Sequence, residues 1–288
     1  MKNRKVVFFL IVKFNFLSKC LQMQTNVTMC LPSFSFADQM NGRPDVYVPG
    51  VKFQTLYLLH GGFGDDSDYI NFTNIARYAD EHKVAVIMPN GYNSFYTDSS
   101  SGGLSSKYWE YVFEELPQVC STMFPISTKR EDTFVAGLSM GAHGAMKMAL
   151  LGSERYAAAL IMSGAAMNVD AMTNMSSADG ENSAQLDPQM IAALVQEQVV
   201  REDDSIYKQA KRNIEEGRPV PKLFFTCGDQ DFILPAVHKA KDLMQAYGYD
   251  VLYEEVPGYG HEWDFWDLSL RKAFKEWLPI RNDVIFPK

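Results

Sequence analysis

The sequence predicts an α/β fold, with a mostly parallel β-sheet covered by helices on both faces, from three observations. Short and nearly continuous apolar runs recur along the chain, as expected of strands that are buried on both faces of a parallel sheet. Segments with helical patterns separate these runs, which indicates βαβ units. The chain has 288 residues, of which 47% are hydrophobic and 22% charged, so it is large enough to bury a core without disulfides or metals.

The predicted elements follow in chain order. Two strands at residues 14–17 and 27–31 are joined by a polar turn over 18–26. Six buried strands come next, at residues 53–59, 84–88, 133–136, 157–162, 222–226 and 250–256. The helices that separate or follow them are predicted at 75–79, 109–120, 142–150 and about 265–277.

Residues 165–221 interrupt this alternation because they are polar, rich in methionine and without a strand pattern. Helical pieces are predicted within them at 188–200 and 204–216. An insertion at the edge where strands end fits a cap over a binding site. A second layer of packing helices is the alternative, and the sequence does not choose between the two. We therefore expect residues 1–288 to form one domain that contains this insertion.

The charge and the cysteines exclude several classes of partner. A formal charge of −8, with no cluster of Lys and Arg to offset it, argues against nucleic acid and membranes as partners. No C-x-x-C pair or His/Cys cluster occurs, so we expect no metal site and reduced core thiols at Cys20, Cys30, Cys120 and Cys227. The sequence leaves a homo-oligomer open.

The amino terminus imitates a secretory signal, because Lys2, Arg4 and Lys5 precede an apolar run over 6–12. That run is short, is interrupted by Lys13 and is followed by no small-residue cleavage site. It is also too short to span a bilayer. We expect a first strand with a few extra residues in front, in a cytoplasmic protein, and secretion is the alternative.

The sequence G-L-S-M-G at residues 137–141 is a G-x-S-x-G motif between a predicted strand and a predicted helix. That context is the one in which the motif forms a nucleophile elbow, a turn too tight to admit a Cβ at either glycine. The elbow predicts an α/β-hydrolase fold with Ser139 as the nucleophile. A serine hydroxyl also needs a neighbouring base to take its proton.

Elimination among the five histidines selects His261 as that base. In α/β hydrolases the chain order is nucleophile, acid, histidine, and only His261 follows the last predicted strand; the others are His60, His82, His143 and His238. Asp229 and Asp231 both follow the strand at 222–226, and either could instead cap the next helix. We choose Asp231 as the acid because it lies farther beyond the end of that strand.

Two backbone N–H groups should receive the oxyanion of a tetrahedral intermediate. One belongs to Met140, the residue after the nucleophile. The other should come from the glycine-rich segment at 60–64, where Gly62 is our choice and Phe63 the second choice. A loop hinge is the alternative role for these glycines. The chemistry requires neither a metal nor a cofactor.

Several motifs, taken together, resemble the esterase D / tributyrin esterase group: L-L-H-G-G at 58–62, M-P-N at 88–90, E-L-P at 115–117, A-G-L-S-M-G at 136–141 and G-H-E-W-D-F-W-D at 260–267. Feruloyl and acetylxylan esterases and the antigen 85 mycolyltransferases are similar relatives. The resemblance runs from about Lys13 onward and implies a triad of Ser139, Asp231 and His261. One departure is the pair Ala142-His143, where the family commonly has Gly-Gly or Gly-Tyr.

These observations predict a serine carboxylesterase that acts on short-chain or aromatic acyl esters, of the acetyl or feruloyl type, through an acyl-enzyme. An S-formylglutathione-type thioesterase and an acyltransferase are the alternatives at the same site. An inactive binding module is the alternative of another class, and a missing triad member would be its sign. We expect a small-molecule ester as the partner, bound in part by Trp263, Trp109 and Tyr96.

Overall fold

A computed structural model of the protein describes residues 10–43, 45–99, 106–166 and 206–287. The strands in these ranges are β1 Leu10–Ser18, β2 Met23–Leu31, β3 Gln54–Leu59, β4 Val84–Pro89, β5 Asp98–Ser99, β6 Ser106–Lys107, β7 Thr133–Leu138, β8 Ala158–Met162, β9 Lys222–Gly228 and β10 Val251–Val256. The α-helices are α1 Phe36–Met40, α2 Asp68–Phe72, α3 Ile75–His82, α4 Tyr108–Glu110, α5 Leu116–Met123, α6 Met140–Leu151, α7 Ile206–Glu215, α8 Leu234–Tyr247 and α9 Trp263–Lys272. Single π-helical turns connect α4 to α5 and follow α9, at Tyr111–Glu115 and Ala273–Trp277. None of these helices combines the length and the apolar composition that crossing a membrane requires.

Eight of these strands form one sheet in the order β1-β2-β4-β3-β7-β8-β9-β10. The first two make an antiparallel hairpin, and β2 is antiparallel to β4. Every later pair in the sheet is parallel, which places the carboxyl ends of six strands at one edge. The mostly parallel sheet predicted from the apolar runs is confirmed.

The core lies on both faces of this sheet because successive side chains of each strand point in opposite directions. In β3, Leu56 and Leu58 belong to one buried cluster, whereas Tyr57 and Leu59 belong to the other. Residues of α6 and α8 join the cluster of Tyr57, and residues of α3 and α9 join that of Leu56. Every residue of β3, β4 and β7 is buried, which explains their continuous apolar sequences.

The hairpin of β1 and β2 is longer than the sequence predicts. Its register runs from Leu10 opposite Leu31 to Ser18 opposite Met23, so the predicted turn over 18–26 is wrong and only 19–22 remain as the turn. The polar residues of β2 near its start are mostly exposed, and an antiparallel strand near a sheet margin tolerates polar residues on its solvent face. The strand predicted at 14–17 begins earlier, at Leu10, and the residues before Leu10 lie outside the described part of the chain.

The described part of the insertion packs against the helix that follows the elbow. Helix α7 lies within the helical piece predicted at 204–216. The Asn213 amide donates a hydrogen bond to the carbonyl oxygen of Leu150 at 2.7 Å, and the Tyr249 hydroxyl donates to that of Ala210 at 3.1 Å. The helix predicted at 188–200 lies outside the described residues, so a cap over the site stays a prediction.

All four cysteines are free, and the predicted core position is wrong for one of them. Cys30, Cys120 and Cys227 are buried, whereas Cys20 is partly exposed. Burial raises the pKa of the Cys30 and Cys120 thiols to about 12. These two thiols therefore stay protonated at neutral pH and act as small apolar core residues.

A buried lysine joins α1 to the junction between α3 and β4. Lys83 ends α3 with a left-handed backbone (φ 56°) and places its Nζ 2.9 Å from Asp38 and 3.6 Å from Asp80. The Nζ also donates a hydrogen bond to the carbonyl oxygen of Ser33 at 2.7 Å. Burial opposes ionisation of the Asp38 carboxyl, but hydrogen bonds from Ser35 and Lys83 hold its pKa below the ordinary value.

We expect Lys83→Met to lower the free energy of unfolding by about 3 kcal/mol, because the buried carboxylates of Asp38 and Asp80 lose a cationic partner and Asp38 keeps only the longer contact to Arg43, at 3.5 Å. Since the pKa of Asp38 is lowered in the folded state, this loss is fully present above the ordinary value of 3.8 and disappears as the pH falls through the lower folded-state value. Urea unfolding at pH 7 and at acid pH measures both effects. Lys222→Met is the control, because the Lys222–Asp250 pair is exposed on both sides and should contribute less than about 1 kcal/mol. Equal midpoints for the two variants at pH 7 would contradict the prediction.

Candidate active site

The elbow between β7 and α6 has the strained geometry that the G-x-S-x-G pattern predicts. Ser139 has φ 54° and ψ −118°, a conformation that the tight turn imposes. A Cβ at Gly137 would lie 2.1 Å from the carbonyl oxygen of Gly141, and a Cβ at Gly141 would lie 2.1 Å from that of Leu59. Both glycines are therefore required by close backbone approach, as the motif predicts.

Backbone strain is concentrated at the edge of the sheet where this elbow lies. Nine non-glycine residues in the described ranges have φ between 47° and 62°. Six of them follow the carboxyl ends of β3, β4, β7 and β8: Phe63, Tyr92, Phe95, Tyr96, Ser139 and Ser163. Such conformations cost about 1–3 kcal/mol each and persist where the surrounding structure enforces them, often at functional sites. The strained residues thus mark the carboxyl edge of the sheet as the candidate site.

His261 and Asp231 are brought together at the same edge. The Nδ1 atom of His261 lies 3.1 and 3.0 Å from the two carboxylate oxygens of Asp231. A carboxylate only accepts hydrogen bonds, so Nδ1 carries a proton in this contact, and Nε2 is the nitrogen that is left to act as a general base. Burial opposes ionisation of Asp231, but hydrogen bonds from His261 and from the Ile233 N–H keep its pKa below the ordinary value. The arrangement is an imidazole oriented by a buried carboxylate.

Asp229, the alternative acid, has a different task. Its Oδ1 accepts a hydrogen bond from the N–H of Gly258 at 2.8 Å, in the loop that carries His261. That loop lies against the end of β9, since a Cβ at Gly228 would come within 2.1 Å of the carbonyl oxygen of Tyr259. Asp229 therefore holds the loop by its backbone, whereas Asp231 contacts the imidazole.

The segment after β3 presents the predicted oxyanion donors. A Cβ placed on Gly62 would meet nothing within 4 Å, so the backbone there is open to a ligand. The N–H of Phe63 is already donated to Oδ1 of Asn93 at 2.7 Å, which favours Gly62 over Phe63 as the donor. Met140 begins α6, and the first N–H groups of a helix have no acceptor within the helix.

His60 fastens this segment to the loop after β4. Its Nε2 accepts a hydrogen bond from the N–H of Gly91 at 2.8 Å, and its Nδ1 donates to the carbonyl oxygen of Gly61 at 2.7 Å. Burial lowers the pKa of His60, so the ring stays neutral and keeps both bonds. Tyr96 is one of the predicted substrate-binding residues, but its ring is fully buried and its hydroxyl donates to the His60 carbonyl oxygen at 2.9 Å. Tyr96 thus supports the segment at 60–64 from within the core.

The remaining histidines are engaged elsewhere. His143 is buried in α6, and burial lowers its pKa to about 3. His82 contacts the side chain of Asn282, and His238 lies 2.7 Å from Glu255 on the surface of β10. Position and bonding therefore agree with the elimination made from the sequence.

Two of the predicted substrate-binding aromatics are partly exposed. Trp263 stacks on Phe72 at a centroid distance of 4.9 Å and meets the ring of Trp266 edge-on at 5.0 Å. Trp109 stacks on Phe113 at 4.3 Å. These contacts explain how the rings are held, and their part in substrate binding stays a prediction.

Sequence reasoning missed Ser163 and Trp266. Ser163 is fully buried, and its Oγ accepts a hydrogen bond from Nε1 of Trp266 at 2.9 Å. The Trp266 ring meets the His261 ring at 90° and 5.0 Å. Only the position of Ser163 could have indicated a role, because it directly follows a buried strand at the edge where Ser139 lies. In the described part of the chain no group of three or more His, Cys, Asp and Glu side chains is arranged to hold a metal ion.

Known proteins with a similar sequence or structure are esterases and related hydrolases. The putative esterase family matches residues 39–277 of the chain. An acetyl esterase of Caldicellulosiruptor saccharolyticus is 30% identical over 273 residues, which cover 95% of this chain and 99% of the relative. The solved fluorophosphonate-binding serine hydrolase F of Staphylococcus aureus is 31% identical with a TM-score of 0.74, over 94% of this chain and 98% of its own. A solved S-formylglutathione hydrolase of Staphylococcus aureus is 29% identical with the same TM-score, over 95% and 100%.

These similarities extend over nearly the whole chain and agree with the geometry. The α/β-hydrolase fold is confirmed by the sheet and by both solved structures. The resemblance to esterases is confirmed by the family match and the acetyl esterase relative. The chain therefore belongs to the putative esterase family and is a serine carboxylic ester hydrolase.

Proposed function

We propose that the chain is a carboxylesterase that cleaves short-chain or aromatic acyl esters through an acyl-enzyme on Ser139. The observation that carries the proposal is the His261–Asp231 pair, which lies at the same sheet edge as the strained Ser139 elbow. Ser139, Asp231 and His261 also follow one another in the chain order of α/β hydrolases, which is nucleophile, acid, histidine.

In the first half of the proposed reaction, Nε2 of His261 takes the proton of Ser139 while Oγ attacks the ester carbonyl carbon. The carbonyl oxygen becomes an oxyanion and accepts hydrogen bonds from the N–H groups of Gly62 and Met140. Asp231 does not take the proton, but its charge stabilises the imidazolium that forms. His261 then gives the proton to the leaving alcohol, and the acyl group remains on Ser139.

In the second half, water replaces the alcohol. His261 removes a proton from the water, whose oxygen attacks the acyl carbon, and the same oxyanion contacts form again. The proton then returns to Oγ of Ser139 as the bond to the acyl group breaks. The products are one carboxylic acid and one alcohol, with the enzyme restored.

Two observations bear on the acyl group. The acetyl esterase relative, which matches over almost its full length, supports a short acyl chain. Phe63 and Phe232 are exposed and directly follow Gly62 and Asp231 in the chain, and exposed aromatic rings at such positions support an aromatic acyl group. An S-formylglutathione thioesterase is the second candidate, favoured by the solved hydrolase of that specificity at 29% identity.

A panel of substrates tests the proposal. We expect kcat/KM for p-nitrophenyl acetate or methyl ferulate to exceed that for S-formylglutathione by at least about tenfold, the factor of a 1.4 kcal/mol difference in transition-state binding. We also expect one acetyl group on the peptide that contains Ser139 when the reaction with p-nitrophenyl acetate is quenched early. The opposite ratio would establish the thioesterase instead. Transfer of the acyl group to a competing alcohol in preference to water would establish an acyltransferase.

A further inference from the structure

We propose that Ser163 and Trp266 are positioning residues that hold the Asp231 carboxylate and the His261 ring in their reactive orientation. The Trp266 indole donates to Ser163 at 2.9 Å, and in the proposed arrangement the Ser163 hydroxyl donates in turn to Asp231. The inference rests on the proposed triad, to which it adds two residues that need not touch the substrate.

Ser163 occupies a place from which it can act on both the elbow and the acid. It directly follows β8, is fully buried, and its N–H donates to the carbonyl oxygen of Thr226 in β9 at 2.9 Å. The next residue, Gly164, lies against the elbow, since a Cβ there would come within 2.8 Å of the carbonyl oxygen of Ser139. Ser163 therefore bridges the strand that precedes Asp231 and the turn that carries the nucleophile.

The direction of the hydrogen bonds follows from the groups themselves. The indole N–H of Trp266 can only donate, so Oγ of Ser163 is the acceptor in their 2.9 Å contact. An ionised carboxylate can only accept, so a hydrogen bond between Ser163 and Asp231 has to be donated by the Ser163 hydroxyl. The Ser163 hydroxyl is in fact among the groups that lower the pKa of Asp231 against the opposing effect of burial. A bond from Trp266 polarises the hydroxyl and makes it a better donor.

Trp266 also contacts the other member of the pair. Its ring is buried in α9 and meets the imidazole of His261 edge-on, at 90° and 5.0 Å. The ring of Phe232 also lies near the imidazole, at a centroid distance of 4.7 Å. The histidine thus contacts two aromatic rings, and one of them, Trp266, is hydrogen-bonded to Ser163.

The backbone conformation at Ser163 indicates that its hydroxyl makes a specific contact. Its φ is +48°, a region where glycine fits at little cost and a residue with a Cβ is strained. A serine that merely filled space would be replaced there by glycine without loss of a contact. The strain is understandable if the hydroxyl has a specific bond to make.

Two further titratable groups lie near this arrangement. Burial, followed by the charge of Asp231, raises the pKa of the Cys227 thiol, so the thiol stays neutral. Glu255 of β10 is opposite Cys227 in the parallel register, and its charge raises the pKa of the thiol further. The Ser163 hydroxyl lowers the pKa of that thiol, so removing the hydroxyl leaves the thiol neutral in all the variants below.

The test compares Ser163→Ala and Ser163→Gly with the wild type. Both variants lose the hydroxyl, but only glycine relieves the backbone strain. An effect that came from impaired folding would therefore differ between the two variants. We expect both to lower kcat about tenfold with KM within twofold, the factor for one lost hydrogen bond to a charged group. We also expect the acidic limb of the kcat/KM profile to move to higher pH in both variants. Without the bond from Ser163, the Asp231 carboxylate stabilises the imidazolium of His261 more strongly.

Trp266→Phe keeps an aromatic ring against His261 but removes the indole N–H that donates to Ser163. We expect it to move the acidic limb to higher pH as well, but by less than Ser163→Ala does. The double variant with Ser163→Ala should be no worse than Ser163→Ala alone, because both changes break one chain of bonds. Ser269→Ala is the matched control, since its buried hydroxyl donates to the Phe265 carbonyl oxygen within α9 and should leave the profile unchanged.

Three results would overturn the inference. The first is a Ser163→Ala variant with the kcat and the acidic limb of the wild type. The second is a wild-type pH profile in Ser163→Gly but not in Ser163→Ala. The third is a double variant whose loss of kcat is the sum of the losses in the two single variants. Each of these can occur while activity still depends on Ser139, which separates them from a failure of the proposed triad. Residual activity in Ser139→Ala would instead remove the triad on which the inference rests.

Discussion

Replacement of Ser139 by alanine is expected to lower kcat for p-nitrophenyl acetate by at least about ten-thousandfold. The change deletes the Oγ atom that forms the bond to the acyl carbon, and none of the remaining groups can take its place. Alanine keeps the Cβ, so the backbone at φ 54° is no more strained than in the wild type. Activity is measured with freshly purified enzyme at saturating substrate, and folding is checked by urea unfolding.

Ser121→Ala is the control for this variant. Ser121 lies on α5, and its hydroxyl donates to the carbonyl oxygen of Gln118 one turn earlier, far from the carboxyl edge of the sheet in the fold. We expect its kcat to remain within about twofold of the wild type, as for an exposed substitution away from special features. A Ser139→Ala variant that kept more than about a hundredth of the wild-type rate would contradict the assignment of the nucleophile, because loss of a triad member costs far more.

Much of the fold and the centre of the site could be predicted from the sequence, because both follow from local rules. The strands at β3, β4 and β7 are buried on both faces, so their sequences are apolar throughout. The elbow is readable because Gly137 and Gly141 are forced by backbone contacts of 2.1 Å. Chain order and the position after β10 then select His261 from five histidines.

The parts that the sequence did not reveal depend on contacts between distant segments. Ser163 and Trp266 are 103 residues apart in the chain, and no local pattern marks a serine as the acceptor of an indole. Asn93 holds the segment after β3 through a bond across 30 residues. Tyr96 was expected to face a ligand because it is aromatic and lies in a polar stretch, but its ring fills the space beneath His60. An aromatic side chain in a loop carries no local sign of the direction in which it points.

We expect Asp231→Asn to lower kcat by roughly a thousand- to ten-thousandfold, with a much smaller change in KM. Asparagine has nearly the same shape, and its oxygen can still accept the bond from the Ile233 N–H that Asp231 accepts at 3.0 Å. Its amide nitrogen, however, would donate to Nδ1 of His261, and the ring proton would then reside on Nε2. A ring in that tautomer cannot accept the proton of Ser139, and the charge that stabilises the imidazolium is also lost.

Asp229→Asn separates this effect from a general effect of charge. The two carboxylates are two residues apart, and the Asp229 side chain bonds the Gly258 backbone, a contact that an asparagine oxygen can also make. We therefore expect Asp229→Asn to lower kcat by less than about tenfold. Tenfold corresponds to about 1.4 kcal/mol, which a weakened hydrogen bond in the loop can cost. Because the pKa of Asp231 is below its ordinary value, the wild-type carboxylate is ionised at neutral pH, where the gap between the two variants should be measured. Equal losses in the two variants would show that Asp231 acts through charge or loop stability, and not by orienting His261.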